Sequence, residues 1–196
     1  LASALIAFAE REGLPVWLSY ARVLHGWTLA QTGRVEEGIS EMTTGLDHFK
    51  DTLHMGYMRS FLLALLGEGY GKQGRSEEGL AQLDAAESFV EATGEVFWYA
   101  EVLRLKGELL LQGSGGWSAK CQAAEAGFLK ARDVALKQGA RALELRAAMS
   151  LCRVWQRDKP VDARHILEEV QSRFTEGFDS PELWDARRLL SEFQPT

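Results

Sequence analysis

The hexapeptide Gly33-Arg34-Val35-Glu36-Glu37-Gly38 returns as Gly74-Arg75-Ser76-Glu77-Glu78-Gly79, 41 residues further along the chain. The same offset aligns Leu24 with Leu65, Gly26 with Gly67 and Gly45 with Ala86, so the copied unit extends well beyond this six-residue core, in which five positions are identical. A chain assembled from copies of one short unit cannot give each copy its own core. Each copy must bury its apolar face against the next, and a stacked array results. Ligands then meet a surface, which excludes water poorly and is a weak setting for catalysis.

Each unit has the signature of a helix pair. Proline in a helix interior costs about 3 kcal/mol, and Pro15, Pro160, Pro181 and Pro195 all fall between helical stretches. Ser180, just ahead of Pro181, suits the N-cap of a helix. Between these breaks apolar residues recur at three-and-four spacing, as in Leu80, Leu83, Phe89 and Val90 or Leu103, Leu105, Leu109 and Leu110. No stretch sustains the period of two that a half-buried strand requires, so the chain is expected to be all-α. The expected order is an unpaired helix at about 2–12, followed by hairpins of about 16–32 with 35–51, 55–73 with 76–93, 96–112 with 117–138 and 140–157 with 160–174. A closing helix at about 181–193 follows. The units, about 16–51, 55–93, 96–138 and 140–174, belong to one expected domain covering 1–196, and four hairpins exceed the three or so needed for a stable array.

Within the units, small and large residues keep one register. The second unit carries Gly67, Tyr70, Gly79, Leu83 and Ala86, and the first Gly26, Leu29, Gly38, Met42 and Gly45. The third has Gly107, Leu110, Ala124, Phe128 and Ala131, and the fourth Ala148, Leu151, Ala163, Leu167 and Val170, both with a longer turn. This pattern resembles the tetratricopeptide repeat (TPR), with a period longer than that family's usual value of about 34 residues. The resemblance implies a right-handed α-solenoid of TPR-like hairpins, about four plus flanking helices. Glycine inside a helix costs up to about 1 kcal/mol relative to alanine, so its recurrence at one register requires a compensating close approach of helices.

A second resemblance covers the last third of the chain. Gln138-Gly139-Ala140-Arg141-Ala142-Leu143-Glu144-Leu145-Arg146-Ala147-Ala148, then Ser150-Leu151 and Trp155, then Phe174-Thr175-Glu176-Gly177-Phe178-Asp179-Ser180-Pro181-Glu182-Leu183, resemble the C-terminal repeat region of large bacterial signalling proteins. In that family the repeats follow a signal-transduction ATPase module, often with a class III adenylate or guanylate cyclase or a DNA-binding activator domain at the amino terminus. The resemblance implies a sensor or scaffold segment whose catalytic and nucleotide-binding parts lie elsewhere. Related activators bind a small inducer in such repeats, and others bind protein. The first residue, Leu1, is not Met, and Leu5, Ile6 and Phe8 form an apolar opening stripe, as expected of a fragment cut from a longer protein.

The remaining motifs argue against other classes. A net charge of -6 and a scattered set of cations give no basic footprint for nucleic acid or an anionic membrane. No apolar run is long enough to cross a bilayer and the start, Leu1-Ala2-Ser3-Ala4, lacks a charged signal-peptide opening, so the expected location is cytoplasmic. Cys121 and Cys152 have no metal-ligand spacing and are expected to be small buried residues. His25, His48, His54 and His165 lack an i, i+4 pair, so no metal is expected. Gly69-Tyr70-Gly71-Lys72-Gln73-Gly74 matches G-x-G-x-x-G, but that loop works only after a strand and ahead of a helix, whereas here it ends a helix. Glu36-Glu37 and Glu77-Glu78 could be drawn as acid/base pairs, yet each lies in a first helical turn where negative charge suits the dipole. No cofactor is implied, and the segment is expected to be non-enzymatic.

What remains is the surface of the first helix of each hairpin, the usual ligand face of a TPR array. Counting from Gly26, Gly67, Gly107 and Ala148, the groove-facing candidates are Tyr20, Trp27 and Gln31, then Phe61, Glu68 and Lys72, then Glu101, Arg104 and Glu108, then Arg153. Val23, Ala64, Leu145 and Met149 share that register. Aromatic and arginine residues supply most interface hot spots and suit a peptide or helix. The competing assignment places Tyr20, Trp27 and Phe61 in inter-repeat packing, along with Trp17, Trp98 and Trp155. Three functions fit: a protein-interaction and regulatory scaffold, a sensor taking a small-molecule effector near Trp27, Glu68 and Arg104, or a self-association module that forms a homodimer through its terminal faces.

Overall fold

The computed structural model describes residues 2–48 in full, the backbone of 49 and 50, and residues 58–114 and 116–193. Among these, ten helices and no strand occur: α1 (Ala2–Arg11), α2 (Pro15–Gln31), α3 (Val35–Lys50), α4 (Arg59–Lys72), α5 (Ser76–Thr93), α6 (Tyr99–Gln112), α7 (Trp117–Gln138), α8 (Arg141–Trp155), α9 (Pro160–Ser172) and α10 (Pro181–Ser191). Pro15, Pro160 and Pro181 each open a helix, where the missing N–H is no loss. The Ser180 hydroxyl accepts from the Leu183 N–H, as expected of an N-cap. The expected helix end near 51 and start near 55 lie outside the described residues, as does His54. α6 starts at Tyr99 rather than 96. Gly94 ends α5 in the left-handed conformation at φ 72°, and the next residues must reverse the chain before a new helix can form.

The chain comprises two compact units, Leu1–Trp98 and Tyr99–Thr196. In the first, α1 packs on α2, α2 pairs with α3, α4 pairs with α5, and α4 packs on both α2 and α3. The repeated hexapeptides are the turns of these two pairs. Gly33 and Gly74 take φ of 93° and 75°, a region that other L-residues rarely enter. In each turn the following arginine grips the glutamate three residues on, Arg34 with Glu37 and Arg75 with Glu78.

The small-residue register is a contact surface. A Cβ on Gly26 would lie 2.5 Å from the Gly38 carbonyl oxygen, and one on Gly38 would lie 2.4 Å from the Gly26 carbonyl oxygen. The α2 and α3 backbones therefore touch at paired glycines. Gly45 repeats this against Val23 and the Ser19 carbonyl, and Gly67 does so more loosely against Leu83.

In the second unit α6 pairs with α7 and α8 with α9, while α8 also packs on α6 and α7 and α10 packs on α8 and α9. The Phe128 ring lies against Gly107, where an added Cβ would come within 2.4 Å of it. Of the register positions, Ala124, Phe128, Ala131, Ala148, Leu151, Ala163, Leu167 and Val170 are fully enclosed, and Leu110 is half-buried. Each large apolar side chain so buried stabilises the fold by about 1.5–3 kcal/mol.

Candidate functional site

The groove-facing candidates fall into two groups, one in each unit, and each group has its own character. In the first unit, α2 presents Trp27 and Gln31 toward Glu68 of α4. The Trp27 indole N–H donates to Glu68 Oε2 at 2.8 Å and the Gln31 amide donates to Oε1 at 3.0 Å. Lys72 stands one turn along α4, with its Nζ 4.0 Å from Oε1. Trp27 and Glu68 are 41 residues apart, the repeat offset itself, so equivalent positions of successive hairpins meet here. Each Glu68 oxygen accepts one of these hydrogen bonds, which orients the carboxylate between α2 and α4.

Tyr20 and Phe61 begin the same stripe on α2 and α4. The Phe61 ring stacks on Trp98 with centroids 4.3 Å apart, and Phe97 meets Trp98 edge-on at 5.4 Å. Tyr20 lies 6.2 Å from Trp17. Burial, and secondarily the charge of Glu95, push the Tyr20 phenol above its ordinary value. The Ser60 hydroxyl donates to Glu95 Oε1 at 2.8 Å. Trp98 does pack, as expected, but Trp17 does not. It is 57% exposed, because the buried stripe of α2 runs through Ser19, Val23, Gly26 and Ala30 and leaves Trp17 to one side. Phe97 is 71% exposed. Glu95 and Phe97 were not among the candidates, since they lie outside the helix register on which those were chosen. The clue available was the Glu95-Val96-Phe97-Trp98 string directly after a helix-ending glycine.

The second-unit candidates are closed. Arg104 grips Glu101 with two parallel N–H bonds of 2.9 and 2.8 Å and reaches Glu108 at 3.3 Å. Arg146 of α8 adds a 2.8 Å ion pair to Glu101, and the Ser150 hydroxyl donates to Glu108 at 2.6 Å. Glu101 and Arg104 are only 4% and 9% exposed, so this is an internal network joining α6 to α8, with its charges answered from within. Arg153 is exposed on α8, apart from that network. Val23, Ala64 and Leu145, assigned to the groove register, lie in the core instead, and Met149 with them. Helix spacing gives the side of a helix but not how much of it the next hairpin covers.

The decoy motifs resolve structurally. Gly69 and Gly71 are inside α4, and a Cβ on Gly69 would meet Met42 Cε at 2.7 Å, so these glycines serve packing and the Gly74 turn. The hydrogen bonds from Arg34 and Arg75 hold Glu37 and Glu78 below the ordinary carboxylate range, the opposite of what a proton donor needs. No cluster of three His, Cys, Asp or Glu able to hold a metal occurs among the described residues. No helix among them is long and apolar enough to cross a membrane. Cys152 is fully buried and its thiol donates to the Ala163 carbonyl, whereas Cys121 is only partly buried.

Helix pairs in glycine register, with a polar and aromatic row where the first helices meet, define the class: an all-α fold of TPR-like hairpins. Two solved structures of a candidate kinesin light chain from Podosopora anserina, with nearly identical TPR-like repeats, are similar to this chain. One, a glutamine-to-methionine variant, superposes with a TM-score of 0.68 at 15% identity, covering 91% of this chain and 85% of that one. The other gives a TM-score of 0.67 at 16% identity, covering 91% and 86%. No protein-family model and no curated protein matches the sequence.

Proposed function

We propose that this chain is a non-catalytic protein-interaction segment that binds a peptide or helix along the face shared by α2 and α4. The observation that carries this reading is the row Trp27, Gln31, Glu68 and Lys72, joined across α2 and α4 by hydrogen bonds and an ion pair, with the exposed rings of Trp17 and Phe97 in the same unit. Preformed aromatic and polar groups bind with little ordering cost, and aromatic residues carry most hot-spot energy. TPR-like repeats as a class serve as scaffolds, which supports the same assignment.

The two units are consecutive stretches of one repeat domain in this proposal. Its parent is a cytoplasmic bacterial signalling or transcription-regulatory ATPase, and support for that comes from the residues 138–148 and 174–183 resemblance. Several charged residues of that motif have architectural duties: Arg141 donates to the Arg173 carbonyl at 2.9 Å, Arg146 pairs with Glu101, and the buried Glu144 accepts from Arg173 at 2.9 Å.

The test is retention of a specific protein from soluble extract on the immobilised chain, compared with Trp27→Ala and Phe97→Ala. Loss of retention in both variants, with folding intact by circular dichroism, is the expected result. Equal retention by all three would remove the α2/α4 face from the account.

A further inference from the structure

Beside the Glu68 row, the first unit holds a carboxylate without a counter-charge. Glu95 follows the Gly94 cap of α5. Its Oε1 accepts from Ser60, but Oε2 is shielded from water and meets no donor among the described residues. No ion pair engages it among the described residues, and Arg59, which precedes Ser60, is directed over the Phe89 ring at 6.0 Å. The Trp98 indole N–H is likewise shielded and meets no acceptor among the described residues. A desolvated carboxylate oxygen and an indole donor each cost free energy when left unpaired, and here they accompany the same stacked aromatic pair. Over Trp98 stands Phe97, edge-on and largely in solvent, so its ring can turn aside at little packing cost.

We infer that Glu95, Tyr20, Phe61 and Trp98 form a notch for the guanidinium of an arginine side chain carried by a peptide segment of the protein partner. Charge complementarity selects a cation, since Glu95 Oε2 needs a charged donor. The aromatic walls select arginine over lysine, because a planar guanidinium can lie on a ring face while its edge donates to both Glu95 and the Tyr20 oxygen. The Trp98 N–H selects a peptide over a free amine, since it needs an acceptor such as a backbone carbonyl next to the arginine. The inference rests on the interaction reading above and adds the chemistry of one anchor residue.

The probe is a decapeptide of glycine, serine and alanine with one central arginine, titrated into the full chain and followed by the indole N–H signals in nitrogen–proton NMR spectra. Lysine and citrulline versions of the peptide and free L-arginine amide are the comparators. The arginine peptide is expected to move the Trp98 indole signal while leaving that of Trp155 in place. It is also expected to bring the Tyr20 phenol back toward its ordinary value, because the bound cation offsets Glu95. Citrulline in the peptide, or Glu95→Gln in the protein, is expected to weaken binding by about tenfold. Trp98→Phe, which keeps the ring and removes the donor, should weaken the peptide and leave L-arginine amide unchanged.

Equal binding of arginine and citrulline peptides, or no effect of Glu95→Gln, would overturn the notch. Equal affinity for L-arginine amide and the peptide would overturn its assignment to a peptide partner. If wild type and Glu95→Gln retain the same extract protein equally, the notch fails while the interaction face stands. If neither peptide nor protein is retained, the interaction reading itself fails.

Discussion

Replacing Gly26 by alanine tests whether the repeated glycines exist for backbone contact. On propensity alone the change should stabilise the interior of α2 by up to about 1 kcal/mol. The structure opposes this. The new methyl would lie 2.5 Å from the Gly38 carbonyl oxygen and 2.8 Å from both the Met42 backbone nitrogen and its Cγ. Two of these three atoms are backbone, so relief requires α2 and α3 to move apart, and strain of this kind costs about 1–3 kcal/mol. With contacts this short the cost falls near the upper end, leaving a net loss of about 2 kcal/mol after the propensity gain. Gly127 is the control. It lies within α7, where an added Cβ meets nothing closer than 3.6 Å, so Gly127→Ala should stabilise by up to about 1 kcal/mol. Urea unfolding followed by circular dichroism should therefore move the two midpoints in opposite directions. Stabilisation by Gly26→Ala comparable to that of Gly127→Ala would refute the close-approach argument.

Four further outcomes are expected. Glu144→Ala removes a carboxylate, 3% exposed, that Arg132 and Arg173 share while both arginines keep Glu169, and chemical denaturation should show a loss of about 2 kcal/mol, partly recovered in a double variant with Arg173→Ala. Trp27→Phe keeps the ring but strips Glu68 of a 2.8 Å donor, which should cost about 1 kcal/mol in the same assay and reduce peptide binding. The hydrogen bond from Lys159 holds Glu125 below its ordinary range, so this pair stabilises the fold above the usual carboxylate pKa and stops doing so as pH falls through the depressed value. Unfolding free energies of wild type and Lys159→Met from urea denaturation should differ at pH 7 by less than about 1 kcal/mol, because Lys159 is nearly half exposed, and converge in acid. Burial pushes the Cys152 thiol up to about 12, so a thiol reagent at pH 8 should label Cys121 in the native chain and Cys152 only on unfolding, with stability falling as pH rises above the ordinary thiol value.

The two aromatic-polar clusters show how a repeat register becomes a surface. Where equivalent positions of successive first helices carry Trp27 and Glu68, they satisfy each other at the rim and leave neighbouring rings open. Where α6 carries Glu101 and Arg104, the facing α8 supplies Arg146 and Ser150, and the same register closes into a buried network. One geometry thus gives either an open rim or an internal joint, according to whether the next helix brings matching charges.

The helical hairpins, most of their boundaries and the contact register were legible in the amino-acid order, because each has a short-range cause. Prolines can only open helices, Gly33 and Gly74 permit the left-handed turn, and small residues at a fixed offset announce where backbones touch. The burial of Glu101 and Arg104, the exposure of Trp17 and the meeting of Glu95 with Ser60 and Trp98 came only with the tertiary structure. These depend on what a neighbouring hairpin places opposite a residue, and helix periodicity gives a direction around one axis but no information about the depth of cover supplied by another.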